Sequence, residues 1–280
     1  MFEKIKARFR GTFLFDLLKA CSRNDLTTRA ANLALFSIMS VFPFIAILVW
    51  LTTLSGSAHD AHVWSDRFDL FLPPDFAKLV TEEIDYRLEQ SVGKNAWTLM
   101  FHMLLLLFSA GAAVRSFLFS LREIAIAEEK IGIAHIFWRS FFFIIPIVLF
   151  VFIASGLVGV VSYIIYTLSD FLASTWLVMP LLWLIITLIL VVILNGVYAS
   201  SLIGHQIIRI HGWLGSSVAA ALVTVVTLGL TAYYEINPVN REWYGSPGFI
   251  INVLLWFYAC SVCVLLGAQI NAVNFLRNKP

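Results

Sequence analysis

Long apolar runs separated by polar segments organise the whole chain. A helix rising 1.5 Å per residue needs ~20 mostly apolar residues to cross a hydrocarbon core of ~30 Å. Six stretches reach that length: Ala30 to Leu54, Trp97 to Leu121, Ser140 to Tyr166, Leu172 to Ile203, Trp213 to Tyr234 and Gly248 to Phe275. Their Leu, Ile, Val and Phe residues do not alternate with polar ones at every second position, so they predict helices and not the strands of a lipid-facing barrel. The expected fold is therefore all-α, a polytopic membrane protein with six transmembrane helices. Ahead of them, Phe2, Ile5, Phe9, Phe13 and Leu17 recur at spacings of three and four, with Lys4, Lys6, Arg8 and Arg10 between. That pattern predicts an amphipathic helix lying in the headgroup region. The chain thus divides into an amphipathic N-terminal segment, residues 1–29, and a six-helix domain, residues 30–280, which includes an external insert at 55–95.

Pro73 and Pro74 split the insert. Its second half places Phe76, Leu79, Val80, Ile84 and Leu88 on one helical face and Glu82, Glu83, Asp85 and Glu89 on the other, the pattern of a helix packed across the outer mouth of the bundle. Pro43, Pro146 and Pro180 interrupt helix hydrogen bonding within spans. The short loop around Ser169 to Ser174 makes the third and fourth helices an antiparallel pair. Small residues at Ser155, Gly156 and Gly159, at Ala110 to Ala113 and at Ala219 to Ala221 allow close helix approach. No internal repeat is evident.

Charge sets the expected orientation. With the amino terminus inside, the inner segments hold fourteen of the nineteen Lys and Arg residues, and the outer ones hold Arg67, Lys78, Arg87, Lys94 and Arg241. This positive-inside bias places both termini in the cytoplasm. Acidic residues run the other way, with eleven outside and six inside, so a net charge of +2 conceals a basic inner surface and an acidic outer one. A basic face beside anionic lipid needs no nucleic acid to explain it. The stretch from Gly11 to Cys21 is interrupted by Asp16 and Lys19, which predicts an uncleaved first span in place of a signal peptide.

The membrane interior offers little for catalysis. No Asp or Glu lies within the six spans, which argues against a carrier driven by carboxylate protonation. Arg115 is the one charge inside a span; counted from Trp97 it lies ~27 Å in, near the cytoplasmic boundary. Asn32, Asn195, Gln269 and Asn271 fall at similar depth. Together they form a candidate polar layer open to the inner leaflet, in which Arg115 holds a phosphate or another anion. The alternative is that Arg115 extends to the interface and the amides satisfy one another between helices. His102 and Ser109, seven residues apart on one helical face, form the nearest thing to an acid/base and nucleophile pair, without a third group. His59 and His62 have metal-like spacing but are read as surface polar residues. Cys260 and Cys263 lie mid-span and are read as small hydrophobes, with Cys21 adding no disulfide framework. No metal, cofactor or P-loop is called for.

Arg29-Ala-Ala-Asn-Leu-Ala34, running to Pro43, resembles the first-span signature of the YihY/BrkB family of bacterial inner-membrane proteins. Tyr244-Gly-Ser-Pro-Gly248, Leu254-Leu-Trp-Phe-Tyr258 and Leu265-Leu-Gly-Ala-Gln-Ile-Asn-Ala272 resemble its last span. The chain departs from that pattern at Gln269, where the family usually has Glu, and around Ile124 to Gly132, where a Trp and a basic run are missing. The resemblance implies an inner-membrane location and no settled activity, the family having carried ribonuclease and virulence labels and links to envelope lipids.

The expected function is non-enzymatic: a transporter, or a passive or partner-driven path, for a lipid or amphiphilic anion. The competing expectation is a scaffold that docks an envelope partner through the external insert. The implied partners are membrane lipids and a periplasmic or membrane protein, with no role for nucleic acid and no indication of oligomeric state.

Overall fold

The computed structural model describes residues 12–54, 73–89, 96–124, 175–199, 212–236 and 240–277. Among them every regular element is an α-helix: α1 (Phe13–Arg23), α2 (Leu26–Leu54), α3 (Pro74–Glu89), α4 (Ala96–Ile124), α5 (Thr175–Ala199), α6 (Trp213–Ile236) and α7 (Asn240–Arg277). Four stretches are long and apolar enough to cross a membrane: Leu26–Ile47, Met100–Ile124, Trp213–Tyr233 and Ile250–Arg277; α5 adds a shorter apolar run, Trp183–Tyr198. The described residues therefore carry an all-helical fold with four full spans, where six were expected. The expected third span, the loop after it, and the pair His59/His62 lie outside the described residues.

The first helix runs on to Arg23, past Leu17, the last residue of its expected apolar face, and stops at an Asn24-Asp25 turn. Asp25 takes the left-handed conformation (φ 45°) that short polar side chains tolerate best after Gly. The span that follows begins at Leu26, four residues before the expected Ala30, because Arg29 N–H bonds the Asp25 carbonyl at 3.1 Å and draws the polar Thr27-Thr28-Arg29 stretch into the first turn. Pro43 lies inside α2 and Pro180 inside α5.

Large apolar side chains lie on the outside of the bundle as well as in its core. Trp97, Met100, Phe101, Leu104 and Phe108 form an exposed stripe on α4, and Leu181, Leu184, Leu188 and Val192 form one on α5. The interior holds Leu, Ile, Val and Ala, among them Leu121, Leu194 and Leu265, interspersed with the polar Ser109, Ser120, Ser216, Thr227, Ser261, Gln269 and Asn271. Hydrocarbon is as apolar as Leu, so burying Leu between helices gains little. The bundle must be held by close packing and by polar groups paired within it.

Both devices meet where α6 crosses α7. A Cβ on Gly267 would stand 2.6 Å from both Ala219 Cβ and the Gly215 carbonyl, and one on Gly215 would collide with the Gly267 carbonyl. The two backbones are therefore in direct contact, with no room for a methyl group. Tyr198 of α5, 1% exposed, donates its hydroxyl to the Val264 carbonyl at 2.5 Å beside this crossing. Farther along, Thr187 of α5 shares a hydrogen bond with Thr224 of α6 at 2.8 Å, and Trp256 Nε1 of α7 donates to Thr227 at 3.1 Å.

At the opposite end of the bundle from α1, α3 lies across α2 and α7 with the face expected of it turned inward. Phe76, Leu79, Val80 and Ile84 are buried against Ile45 and Val253, with Trp256 and Phe257 alongside. Phe76 stands 5.1 Å from the Trp256 ring and 5.2 Å, edge-on, from Phe257. Pro74 opens the helix, where a missing N–H costs nothing, and Asp75 complements the helix dipole. Asp75, 4% exposed, also accepts from Asn252 Nδ2 at 3.0 Å and so ties α3 to α7.

Replacing Gly267 with Ala should push α6 from α7 and cost about 1–3 kcal/mol, as overpacking does. Gly229→Ala, where the added methyl meets nothing within 4 Å, should be neutral or slightly stabilising, since Ala favours helix. Thermal unfolding of the detergent-solubilised proteins measures both.

Candidate functional site

The polar layer expected from depth along the spans divides once its side chains are placed. Asn32 is exposed and Arg115 half-buried. Asn195 is half-buried, with an enclosed Oδ1 that has no hydrogen-bond partner. Gln269 and Asn271 are buried and committed to neighbours. Gln269 Oε1 accepts from Asn24 Nδ2 at 2.8 Å. Asn271 Oδ1 accepts from the Gly215 N–H at 2.7 Å, and its Nδ2 donates to the Gly212 carbonyl at 2.9 Å.

The Asn271 contacts have a specific physical meaning. Gly215 lies in the first turn of α6, where backbone N–H groups have no partner within the helix. An Asn from another helix caps that end, as a local N-cap residue does elsewhere. The Gln269 contact likewise serves structure, because it anchors the turn between α1 and α2 to α7. Asn24, 4% exposed, is the residue that sequence reading passed over. Its own carbonyl accepts from Arg29 Nε at 2.7 Å, and Arg29 faces Glu123 of α4 at 3.7 Å. The available signal was an Asn-Asp dipeptide between two helical patterns, which marks a turn but does not reveal which distant amide it meets. Cys21, just before that turn, packs against both neighbouring cores. Burial pushes its thiol up from the usual range, which makes it a poor nucleophile at neutral pH.

A second site opens at the α3 end. Ile38, Met39, Phe42 and Pro43 of α2, Leu79, Glu82 and Glu83 of α3, His102 and Leu105 of α4 and Ile250 of α7 line a cleft of about 700 Å³. The lining is apolar apart from the two Glu side chains and His102. Such a concave apolar wall with a few polar groups at one end is the usual form of a site for an amphiphile.

His102 Nδ1 lies 2.7 Å from the Thr98 carbonyl one turn earlier. Ser109, fully buried, donates its hydroxyl back to the Leu105 carbonyl at 2.7 Å. The pair shares a helix face, but each side chain is engaged with its own helix.

The family model described as Virulence factor BrkB matches residues 17–279. The chain belongs to the BrkB family. It is 24% identical over 276 residues to the putative ribonuclease-like protein YfkH of Bacillus subtilis, covering 96% of this chain and 97% of that one. Shorter matches join it to a UPF0761 membrane protein of Stenotrophomonas maltophilia, 34% identical over 68 residues, and to another of Vibrio parahaemolyticus, 36% identical over 62. These cover 24% and 22% of this chain and 16% and 20% of the relatives. No solved structure matches. Gln269 supplies the acceptor oxygen that Asn24 needs without burying a charge in this BrkB-family protein.

Gln269→Leu and Asn24→Leu should each cost about 1–3 kcal/mol, because each strands one buried amide. The double substitution should cost clearly less than their sum. Unfolding midpoints of the two single variants and the double variant measure the coupling; additive losses would mean that the two amides act independently.

Proposed function

We propose that this protein resides in a bacterial inner membrane with both termini cytoplasmic and gives a lipid or amphiphilic anion an uncoupled, non-enzymatic path. The observation that carries this reading is the cleft of about 700 Å³ at Pro43, bounded by three spans and α3. One wall is exposed, since Met39, Phe42 and Ile250 are all among the exposed apolar residues. An amphiphile can thus enter sideways with its chain against Ile38, Phe42 and Leu105 and its head beside α3. At the α1 end, Arg115 supplies the guanidinium for an anionic group, and Asn195 adds an enclosed oxygen that no protein donor satisfies. Among the described spans Glu123, next to the last residue of Met100–Ile124, is the one Asp or Glu, and the lack of a mid-span carboxylate there fits a path without ion coupling.

The scaffold reading requires an exposed apolar face on the segment from Pro73 to Gln90. In that segment Phe76, Leu79, Val80 and Ile84 are turned into the bundle, and Tyr86, 55% exposed, is the large apolar side chain facing outward among the described residues. This favours the path over the scaffold. The ribonuclease-like name of the Bacillus relative suggests nuclease chemistry, which requires convergent metal-binding carboxylates or a His acid/base pair. Among the described residues on the α1 side, Glu123 and Asp16 face Arg29 and Arg277 instead, which supports the non-enzymatic reading.

In liposomes, the purified protein should move fluorescent phospholipids between leaflets, measured by dithionite quenching of the outer label. Arg115→Ala should lose most of that movement with an unchanged unfolding midpoint. Movement no faster than in protein-free vesicles would overturn the path and return attention to docking.

A further inference from the structure

The cleft at Pro43 carries charge information beyond its shape. Its polar lining residues are Glu82 and Glu83, from one turn of α3, and the half-buried His102 of α4. The two carboxylates are acceptors only, which suits a donor-rich cation. One turn before Glu82, Lys78 Nζ lies 3.4 Å from Glu82 Oε1, and both side chains are exposed. An exposed pair of that kind contributes little to stability, so its charges can exchange partners at little cost. The rim is thus two carboxylates with one ammonium beside them.

That arrangement complements a zwitterionic head and disfavours a purely anionic one. We propose that the cleft is a binding site for a phospholipid whose head carries a primary ammonium, with one acyl chain along Ile38, Phe42, Pro43 and Leu105. Its ammonium donates to Glu82 and Glu83, and its phosphate meets Lys78. A primary ammonium has three N–H donors for these acceptors, whereas a trimethylated one has none, so the site distinguishes the two although their net charge is the same. This inference deepens the lipid-path reading by naming the class of lipid, and it places that lipid in the leaflet on the α3 side.

Purified protein, mixed in detergent with equal amounts of palmitoyl-oleoyl phosphatidylethanolamine, phosphatidylglycerol and phosphatidylcholine, should retain the ethanolamine lipid about tenfold over the glycerol lipid in native mass spectrometry. That ratio corresponds to one charge-assisted hydrogen bond or pair of them. The double variant Glu82→Gln/Glu83→Gln should lose the preference with its unfolding midpoint unchanged, and Leu105→Trp should reduce retention of all three lipids by filling the chain end. Equal retention of the three lipids by the native protein, or a preference that survives in the double variant, would overturn the inference. The same proteins in the leaflet-movement assay separate the two claims. Movement without head preference leaves the path standing and removes this site, while head-selective retention without movement keeps the site and removes the path.

Discussion

Backbone contact between α6 and α7 at Gly215 and Gly267 is the constraint on which the rest of the bundle depends. Where lipid surrounds a helix, apolar burial supplies little net attraction between helices. Contact must then come from surfaces that approach closely enough for dispersion and hydrogen bonding to act, and only glycine permits that here. The same crossing brings Asn271 to the first turn of α6 and lets the Tyr198 hydroxyl reach α7. From there α7 packs on α1, α2, α3 and α4 as well. Widening this crossing by one methyl group would therefore weaken a cap, a tyrosine anchor and the seat of the other helices together.

The polar residues between the helices and at the cleft rim fall into two groups with different consequences. Asn24, Gln269, Asn271, Asp75 and Asn252 are paired across elements and act as fasteners, each joining α7 to a turn or a helix end. They are costly to break because hydrocarbon offers no replacement partner. Arg115, Asn195, and the Glu82, Glu83 and His102 rim of the cleft are less completely enclosed. If a ligand moves through this protein, these groups are where its polar parts can be met without dismantling the fold.

The amphipathic faces were legible in the sequence because periodicity is local. The inward residues of α3, Phe76, Leu79, Val80 and Ile84, follow from spacing alone, whereas the exposed stripe on α4 does not, since that span is apolar on all sides. The candidate layer was read less completely. Depth arithmetic put Asn32, Asn195, Gln269 and Asn271 at one level, but a helix places residues of equal depth on different faces, and Asn32 points outward while Gln269 points in. Asn24 escaped notice because its importance rests on a partner 245 positions away.

Length, hydropathy and charge distribution by themselves determined that this is a helical membrane protein and which sides of its helices are apolar, because the lipid bilayer acts on each segment independently of its neighbours. The motifs around Arg29 and Gln269 likewise determined its kinship with the BrkB family. Tertiary structure alone decided that Asn271 caps α6, that Gly267 is a contact point, and that Pro43, Glu82 and His102 bound one cleft. Those relations join residues far apart in the chain, and nothing in a local pattern encodes which helix faces will meet.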